Sequence, residues 1–330
     1  MADPGNMLFI TTNELESHFG SGRTEQLARE SEYDFLKKVT DIAYEAAWNR
    51  KIKAVFISGP TSSGKTTFAD RLGSAIHLYG RPTLRVSLDD YYFEGEYLFD
   101  TDGRPDMESI STLDIDLIVE QLRALMNGEE VLMPSYDFAS RVRSYPATNR
   151  VRVDSNAVLV VEGLHGLSGK VIGELPKEAA LGVFVCPWAT LVGDRRLLRP
   201  EQIRQLRRIS RDYHHRKTGA LATLDYWPMI HRTEELFFDD YLSRADYFVN
   251  TVIRYEFFVL GTMAASYLQA DLQRLQAGEE LRTPLTRDGK FADLDAAVEA
   301  AQYLIDLSKH LPQVSQDFVP PMSILNEFIK

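Results

Sequence analysis

Cysteine is almost missing from this chain: Cys186 is the only one in 330 residues. A disulfide framework within the chain is thereby excluded, and so is a cysteine-built zinc site. The scarcity fits a reducing compartment, and the expectation is a cytoplasmic protein. Cys186 itself closes an apolar run before Pro187 and reads as small buried filler. Positive charge is in deficit as well. Against 48 Asp and Glu stand 37 Lys and Arg, a net charge of −11, which argues against a nucleic-acid backbone or an anionic membrane as the main partner. Long apolar runs are absent too. The most membrane-like stretch, Phe257–Leu268, is twelve residues long and follows Arg254 and Glu256, so a buried helix is expected rather than a span. Met1–Asn6 carries no positive charge, and no secretory leader is expected. There is no N-K-x-D run of the kind that reads a guanine base. No H-E-x-x-H occurs, and His214-His215 has no third ligand at metal spacing.

What is present is a globular composition, 44% hydrophobic and 26% charged, sufficient for one large α/β domain with additions. Residues 59–66 read Gly-Pro-Thr-Ser-Ser-Gly-Lys-Thr, a complete G-x-x-x-x-G-K-[ST] loop. An apolar, β-branched run, Lys53–Ser58, precedes it and a helical pattern from Thr67 follows it. That strand–loop–helix setting makes the pattern a structural statement. Gly59 and Gly64 let the backbone N–H groups of Thr61, Ser62, Ser63, Thr66 and Thr67 converge on phosphate oxygens at a helix N-terminus. Lys65 is placed to reach the β- and γ-phosphates, and the Thr66 hydroxyl to ligate Mg²⁺. The loop implies binding of a nucleoside triphosphate, ATP with Mg²⁺.

Short apolar runs at Ala54–Ile57, Leu84–Leu88, Ala157–Val161, Leu181–Val185 and Tyr247–Val249 read as strands covered on both faces. Helical spacing appears over Thr24–Trp48, Thr66–Tyr79, Asp114–Met126, Glu201–His215, Val252–Leu275 and Leu294–His310. Residues 1–50 show no strand. Alternating βα units predict an α/β fold of the P-loop NTPase type: three layers, a mostly parallel sheet, helical additions at both ends and an Arg-bearing lid. The expected divisions are a helical extension over 1–50, a kinase-like core over 51–255 with the lid at 195–220, and a helical extension over 256–330.

Ligands of such sheets sit beyond the carboxyl ends of the strands, and two of those ends are acidic. Asp89 or Asp90 is placed to take a proton from an acceptor hydroxyl, and Glu162, closing a central run, to hold Mg²⁺ directly or through water. Arg204, Arg207, Arg208 and Arg211 recur at i, i+3, i+4 and i+7, with Arg216 and Lys217 just beyond. This stripe has few acidic neighbours in sequence and reads as a phosphate-facing lid. Tyr92, Tyr136 and Phe138 offer aromatic faces for a base. His165 reads as a supporting residue.

Together, Ser58–Thr67, Ser87–Tyr92, Pro134–Phe138, Val161–Leu167 and Arg207–Asp212 resemble, in order, the motifs of the uridine kinase and phosphoribulokinase family of P-loop kinases, across roughly residues 52–255. The ending Ser323-Ile324-Leu325-Asn326-Glu327-Phe328-Ile329 is similar to that of a uridine-kinase-like branch. The resemblance implies Asp89 as catalytic base, with Lys65 and Arg211 in the reaction, Thr66, Glu162 and Asp89 on the metal side, and Arg211 and Arg216 on phosphate. It also implies Tyr92, Asp106, Tyr136, Phe138 and Arg208 around a nucleoside, with Asp106 on the ribose hydroxyls. Two positions depart from it. Arg141 stands where pyrimidine nucleoside kinases carry a base-contacting His, and Thr218 interrupts the lid's second arginine. The expected activity is phosphorylation of a primary hydroxyl on a uridine- or cytidine-like nucleoside. A sugar acceptor and an inactive nucleotide-binding regulator stand as alternatives. The expected partner is a small-molecule acceptor, not nucleic acid or membrane, with a homo-oligomer left open.

Overall fold

The structure, a computed structural model, describes every residue except 1–4, 6, 21, 96, 97, 139 and 330. The leader reading of the first six residues therefore falls mostly outside the described residues. Leu8–Thr11 is a strand, β1, and Thr11 starts α1 (Thr12–Ser17) by accepting the Glu14 amide on its hydroxyl at 3.0 Å. This corrects the expectation that residues 1–50 hold no strand. Only Ile10 of the four is buried, so no alternation announces β1; it forms because it pairs in parallel with Ala189–Val192. Helix α2 (Arg23–Trp48) buries Leu27, Phe35, Val39, Ile42, Ala43 and Ala46 along one stripe.

The alternating units follow: β2 (Ala54–Ser58), α3 (Lys65–Leu78), β3 (Thr83–Ser87) and α4 (Ile115–Met126), whose first turn is capped by Asp114 on the Leu117 amide at 3.2 Å. Four short strands come next, β4 (Val131–Leu132), β5 (Ser135–Asp137), β6 (Val142–Ser144) and β7 (Arg150–Val151), with β4 on β7 and β5 on β6, both antiparallel. The chain continues through β8 (Val158–Glu162), β9 (Ala180–Cys186), β10 (Ala189–Val192) and β11 (Arg196–Leu198) into α5 (Pro200–His215). Then come α6 (Ala220–Glu235), α7 (Phe238–Arg244), β12 (Tyr247–Asn250), α8 (Glu256–Gln276), α9 (Leu294–Ser308) and the short α10 (Asn326–Ile329).

The five runs expected as strands form one sheet, ordered β12–β9–β2–β8–β3 and parallel throughout. From β2 the chain goes out to β3, returns to β8, then crosses to β9 on the other side of β2. Its direction of winding reverses at β2, so the crevice opens at that strand's carboxyl end, where residues 59–64 sit. Side chains alternate across the sheet. Val55 and Ile57 join α2, α3, α5, α8 and α9 in one core, while Ala54 and Phe56 join Ile118, Leu122 and Leu125 of α4 in the other. That makes the three layers of the expected fold. Truncating a fully buried side chain such as Phe56 removes about 3–5 kcal/mol, which is why both faces of the central strand β2 are apolar.

Helix α6 was not legible in advance. It is buried around most of its circumference, so it shows no stripe, and it carries Pro228 inside. Among the described residues no helix is long and apolar enough to cross a membrane, and Phe257–Leu268 lies within the packed α8.

Candidate active site

The loop after β2 owes its shape to close approaches. A Cβ on Gly59 would lie 2.0 Å from the Val185 carbonyl oxygen on β9, so only glycine lets the loop leave the sheet there. Gly64 adopts φ +88° and Ser62 φ +58°, left-handed conformations that turn successive amides inward. The Ser62 and Ser63 hydroxyls are buried with no hydrogen-bond partner, and Lys65 Nζ donates to the carbonyls of Gly59 and Pro60 at 3.0 Å each. Donors held in a concave loop at the start of a 14-residue helix are the chemical complement of phosphate oxygens.

The loop is braced from outside by charge. Glu234 on α6 accepts the Thr61 amide at 3.0 Å and takes both arms of Arg204, at 2.7 and 2.8 Å. Arg207 pairs with Glu256 at 2.7 and 3.0 Å and donates to the Thr251 carbonyl at 2.8 Å, while the Thr251 hydroxyl donates to the Ser63 carbonyl at 2.7 Å. These contacts correct the reading of the arginine stripe. Arg204 and Arg207 do not face phosphate; each is buried against a carboxylate from a distant helix.

The rest of the stripe does reach the site. Asp212 is buried and meets Arg208 Nε at 3.0 Å and Arg211 Nη2 at 3.0 Å, with Arg216 Nε 3.7 Å away. Burial alone would raise the Asp212 pKa, but Arg208, Arg211 and Arg216 outweigh it and hold the carboxyl well below the usual range. Arg208 also reaches the Thr61 hydroxyl at 2.7 Å and Glu108 at 3.3 Å. Arg216 is pushed down to about 10, first by the nearby Arg211 charge and then by desolvation. Arg208 has Glu108 as a second partner, whereas Arg211 and Arg216 share Asp212 and border the cavity.

The cavity holds about 100 Å³ and is lined by Lys65, Thr66, Asp89, Glu162, Arg208, Arg211 and Arg216, with Thr61, Ser62, Tyr92, Met107, Glu108, Phe138, Leu164 and Glu327 completing it. Asp89 stands in the single turn Leu88–Tyr91 that follows β3, its side open to solvent, and Glu162 is buried at the carboxyl end of β8. Desolvation raises the Asp89 pKa; Lys65 and Arg216 oppose this, and Glu108 and Asp90 add to it. Glu162 is likewise raised, by burial first and by the Asp89 charge second. Asp90 points away: it accepts the Tyr136 amide at 3.1 Å and fixes the hairpin β5–β6.

Tyr92, Tyr136 and Phe138 form an aromatic cluster with ring centres 5.0–5.4 Å apart, and Arg216 lies 5.7 Å over the Phe138 ring. Tyr92 and Phe138 line the cavity; Tyr136 stands behind them. Asp106 is outside the lining, but its Oδ1 is buried with no hydrogen-bond partner, and desolvation raises its pKa. Arg141 sits at the tip of the β5–β6 hairpin with φ +58°, its amide donating to the Asp137 carbonyl at 2.7 Å, and it does not line the cavity. His165 donates from Nε2 to the Glu108 carbonyl at 2.9 Å, so its Nδ1 accepts from the Tyr241 hydroxyl at 2.7 Å. Burial lowers its pKa to about 4, and the ring is a neutral brace.

Sequence reasoning missed Glu108, Asp212, Glu234 and Glu327. Asp212 stood inside the quoted Arg207–Asp212 run and could have been read as the arginines' anchor. Glu327 stood inside the quoted ending Ser323–Ile329, though nothing there told of its partner Thr67, 260 residues away. Glu108 and Glu234 lie at least 30 residues from the arginines they meet, with no local pattern to mark them.

The chemistry available is specific. The hydroxyl of Thr66 and the carboxylates of Glu162 and Asp89 are hard oxygen donors suited to Mg²⁺, though among the described residues no group of three or more His, Cys, Asp or Glu could hold a metal unaided. A cation held by one or two carboxylates and by phosphate oxygens fits that set. The sequence profile described as the Phosphoribulokinase / Uridine kinase family matches residues 54–254. A uridine kinase of Staphylococcus aureus is 32% identical over 120 residues, 36% of this chain and 56% of its own length. The chain thus spans about half the length of the curated relatives it matches. Among solved structures, a protein named as a possible uridine kinase from Bacillus stearothermophilus aligns at 18% identity and a TM-score of 0.44, covering 66% of this chain and 97% of its own. A candidate fructose transport system kinase from Silicibacter sp. TM1040 aligns at 16% identity and 0.43, covering 64% and 98%.

Proposed function

This chain belongs to the phosphoribulokinase/uridine kinase family, and from that premise we propose that it transfers the γ-phosphoryl group of ATP to a primary hydroxyl of a nucleoside-like acceptor. One observation carries the reading: Lys65 and Thr66, the acidic pair Asp89 and Glu162, and the arginines 211 and 216 converge on a single cavity. Phosphoryl transfer needs those three sets together and little covalent chemistry from the protein.

In this reading the loop amides and Lys65 hold the donor phosphates in line with the acceptor. Asp89 accepts the hydroxyl proton, and its raised pKa makes it a better base than an ordinary aspartate once deprotonated. Arg211 and Arg216 absorb charge on the moving phosphoryl group, with Asp212 keeping their forks in place. Thr66 and Glu162 would hold Mg²⁺, which would supply charge neutralisation on the phosphate oxygens. On the acceptor side Tyr92 and Phe138 offer faces for a base, and the unpartnered Oδ1 of Asp106 offers an acceptor for a ribose hydroxyl. The protein would act in the cytoplasm on a small molecule.

A purified-protein screen of nucleosides and sugars, read by ADP release with ATP and Mg²⁺, tests this. Stimulation by uridine or cytidine is expected. Stimulation by sugars alone would move the acceptor class, as the Arg141 departure allows. ATP binding without stimulation by any acceptor would instead leave a nucleotide-binding regulator.

A further inference from the structure

The carboxyl-terminal segment folds back onto the phosphate loop. Arg71 on α3 donates to the Met322 carbonyl at 2.6 Å, and the Ser323 hydroxyl donates to the Tyr255 hydroxyl at 2.9 Å, whose own proton goes to Glu32. Ile324 and Phe328 are buried, the latter 5.1 Å beneath the Arg207 guanidinium that also braces the loop. This seating delivers Glu327 to the first turn of α3, where its Oε2 accepts the Thr67 amide at 3.1 Å and the Thr67 hydroxyl at 2.8 Å. Ile324 reaches the loop itself, since a Cβ on Gly64 would lie 2.3 Å from its Cδ1.

A carboxylate on an amide and hydroxyl at a helix N-terminus takes the place that a phosphate oxygen would take. Two anions cannot share those donors. The space left is about 100 Å³, with Glu327 in its wall, whereas a ligand of nucleotide size needs roughly 300 Å³ or more. We propose that the carboxyl-terminal segment is a built-in gate on the donor site: Glu327 occupies the Thr67 donors as an internal anion, and the nucleotide must displace it to bind. The proposal rests on the triphosphate reading of residues 59–66. It predicts that the apparent nucleotide affinity is the intrinsic one reduced by the fraction of molecules with the segment open.

The test uses the full-length protein and Mg²⁺–ATPγS, titrated calorimetrically. Glu327→Gln keeps the side chain's shape and removes its charge, and it should bind the nucleotide about tenfold more tightly than the parent. Glu299→Gln, an exposed position on α9, changes the net charge equally and should leave affinity unchanged. In the parent, where no variant's folding is at issue, amide exchange over residues 322–329 should rise when nucleotide is added. An affinity of Glu327→Gln equal to or below the parent's overturns the gate, as does tail exchange that fails to rise. Absence of nucleotide binding in both proteins would remove the triphosphate reading too, whereas normal parent binding with no Glu327 effect removes the gate alone.

Discussion

The Asp89 charge adds to the burial of Glu162, and the consequence for pH is specific. Glu162 is raised by burial first and by Asp89 second. A carboxyl whose pKa is higher in the folded than in the unfolded chain binds its extra proton only when folded, so stability falls as pH rises between the two values. Glu162→Gln removes that cost. In metal-free buffer its Tm should exceed the parent's at about pH 8 and converge with it below about pH 4, where both states are protonated. A Tm deficit across the whole range would contradict the account. Asp212 is the other residue whose charge organises the site. Asp212→Asn leaves Arg208, Arg211 and Arg216 repelling one another, and turnover should fall roughly 10- to 100-fold while the far-ultraviolet dichroism stays that of the parent.

The elements were legible to different degrees, for physical reasons. The three inner strands of the main sheet, β9, β2 and β8, announced themselves because both their faces are buried and so apolar. The edge strands β3 and β12 are only partly buried and showed as short apolar runs beside polar residues such as Arg85 and Asn250. Helices α2, α3, α4, α5 and α9 carry one-sided burial that spacing reveals, and α8 does so after a first stretch, Glu256–Gly261, that is buried all round. Strand β1 depends on a partner about 180 residues away, and α6 is buried nearly all round, so neither writes a period into the sequence. The arginine stripe on α5 was visible as a stripe, but its partners were not. Whether an arginine meets Glu234, Glu256 or a phosphate is decided by helices 30 and 49 residues on. Two predictions belong here. Arg207→Leu leaves Glu256 buried without its partner and should cost about 3–5 kcal/mol in urea unfolding, with much of it recovered in the double variant Arg207→Leu/Glu256→Leu. Gly59→Ala forces a Cβ against the Val185 carbonyl and should cost roughly 1–3 kcal/mol by the same measurement, with weakened nucleotide binding.

For the whole molecule, the overall charge of −11 and the clustering of Arg208, Arg211 and Arg216 at one cavity belong to a single design. An acidic surface disfavours polyanions in general, while Arg211 and Arg216 make one site attractive to a small phosphate-bearing ligand. Distant parts of the chain converge on that site. Arg81, fully buried, donates to the carbonyls of Ala46 and Ile52 at 2.7 and 2.9 Å and so ties α2 to the start of β2. Glu234 and Thr251 brace the loop from α6 and from the segment after β12, and Glu327 closes on it from the chain's last turn. The donor half of the site was readable from eight consecutive residues; its supports come from the whole fold and were not.

The most direct test of the central claim is the single-turnover rate of phosphoryl transfer for Asp89→Asn, measured with the acceptor that best stimulates the parent, beside the ATP dissociation constant of both proteins. The account predicts a rate lower by about 10²–10⁴-fold, with the ATP dissociation constant within about twofold of the parent's. Transfer at the parent rate would show that Asp89 is not the base.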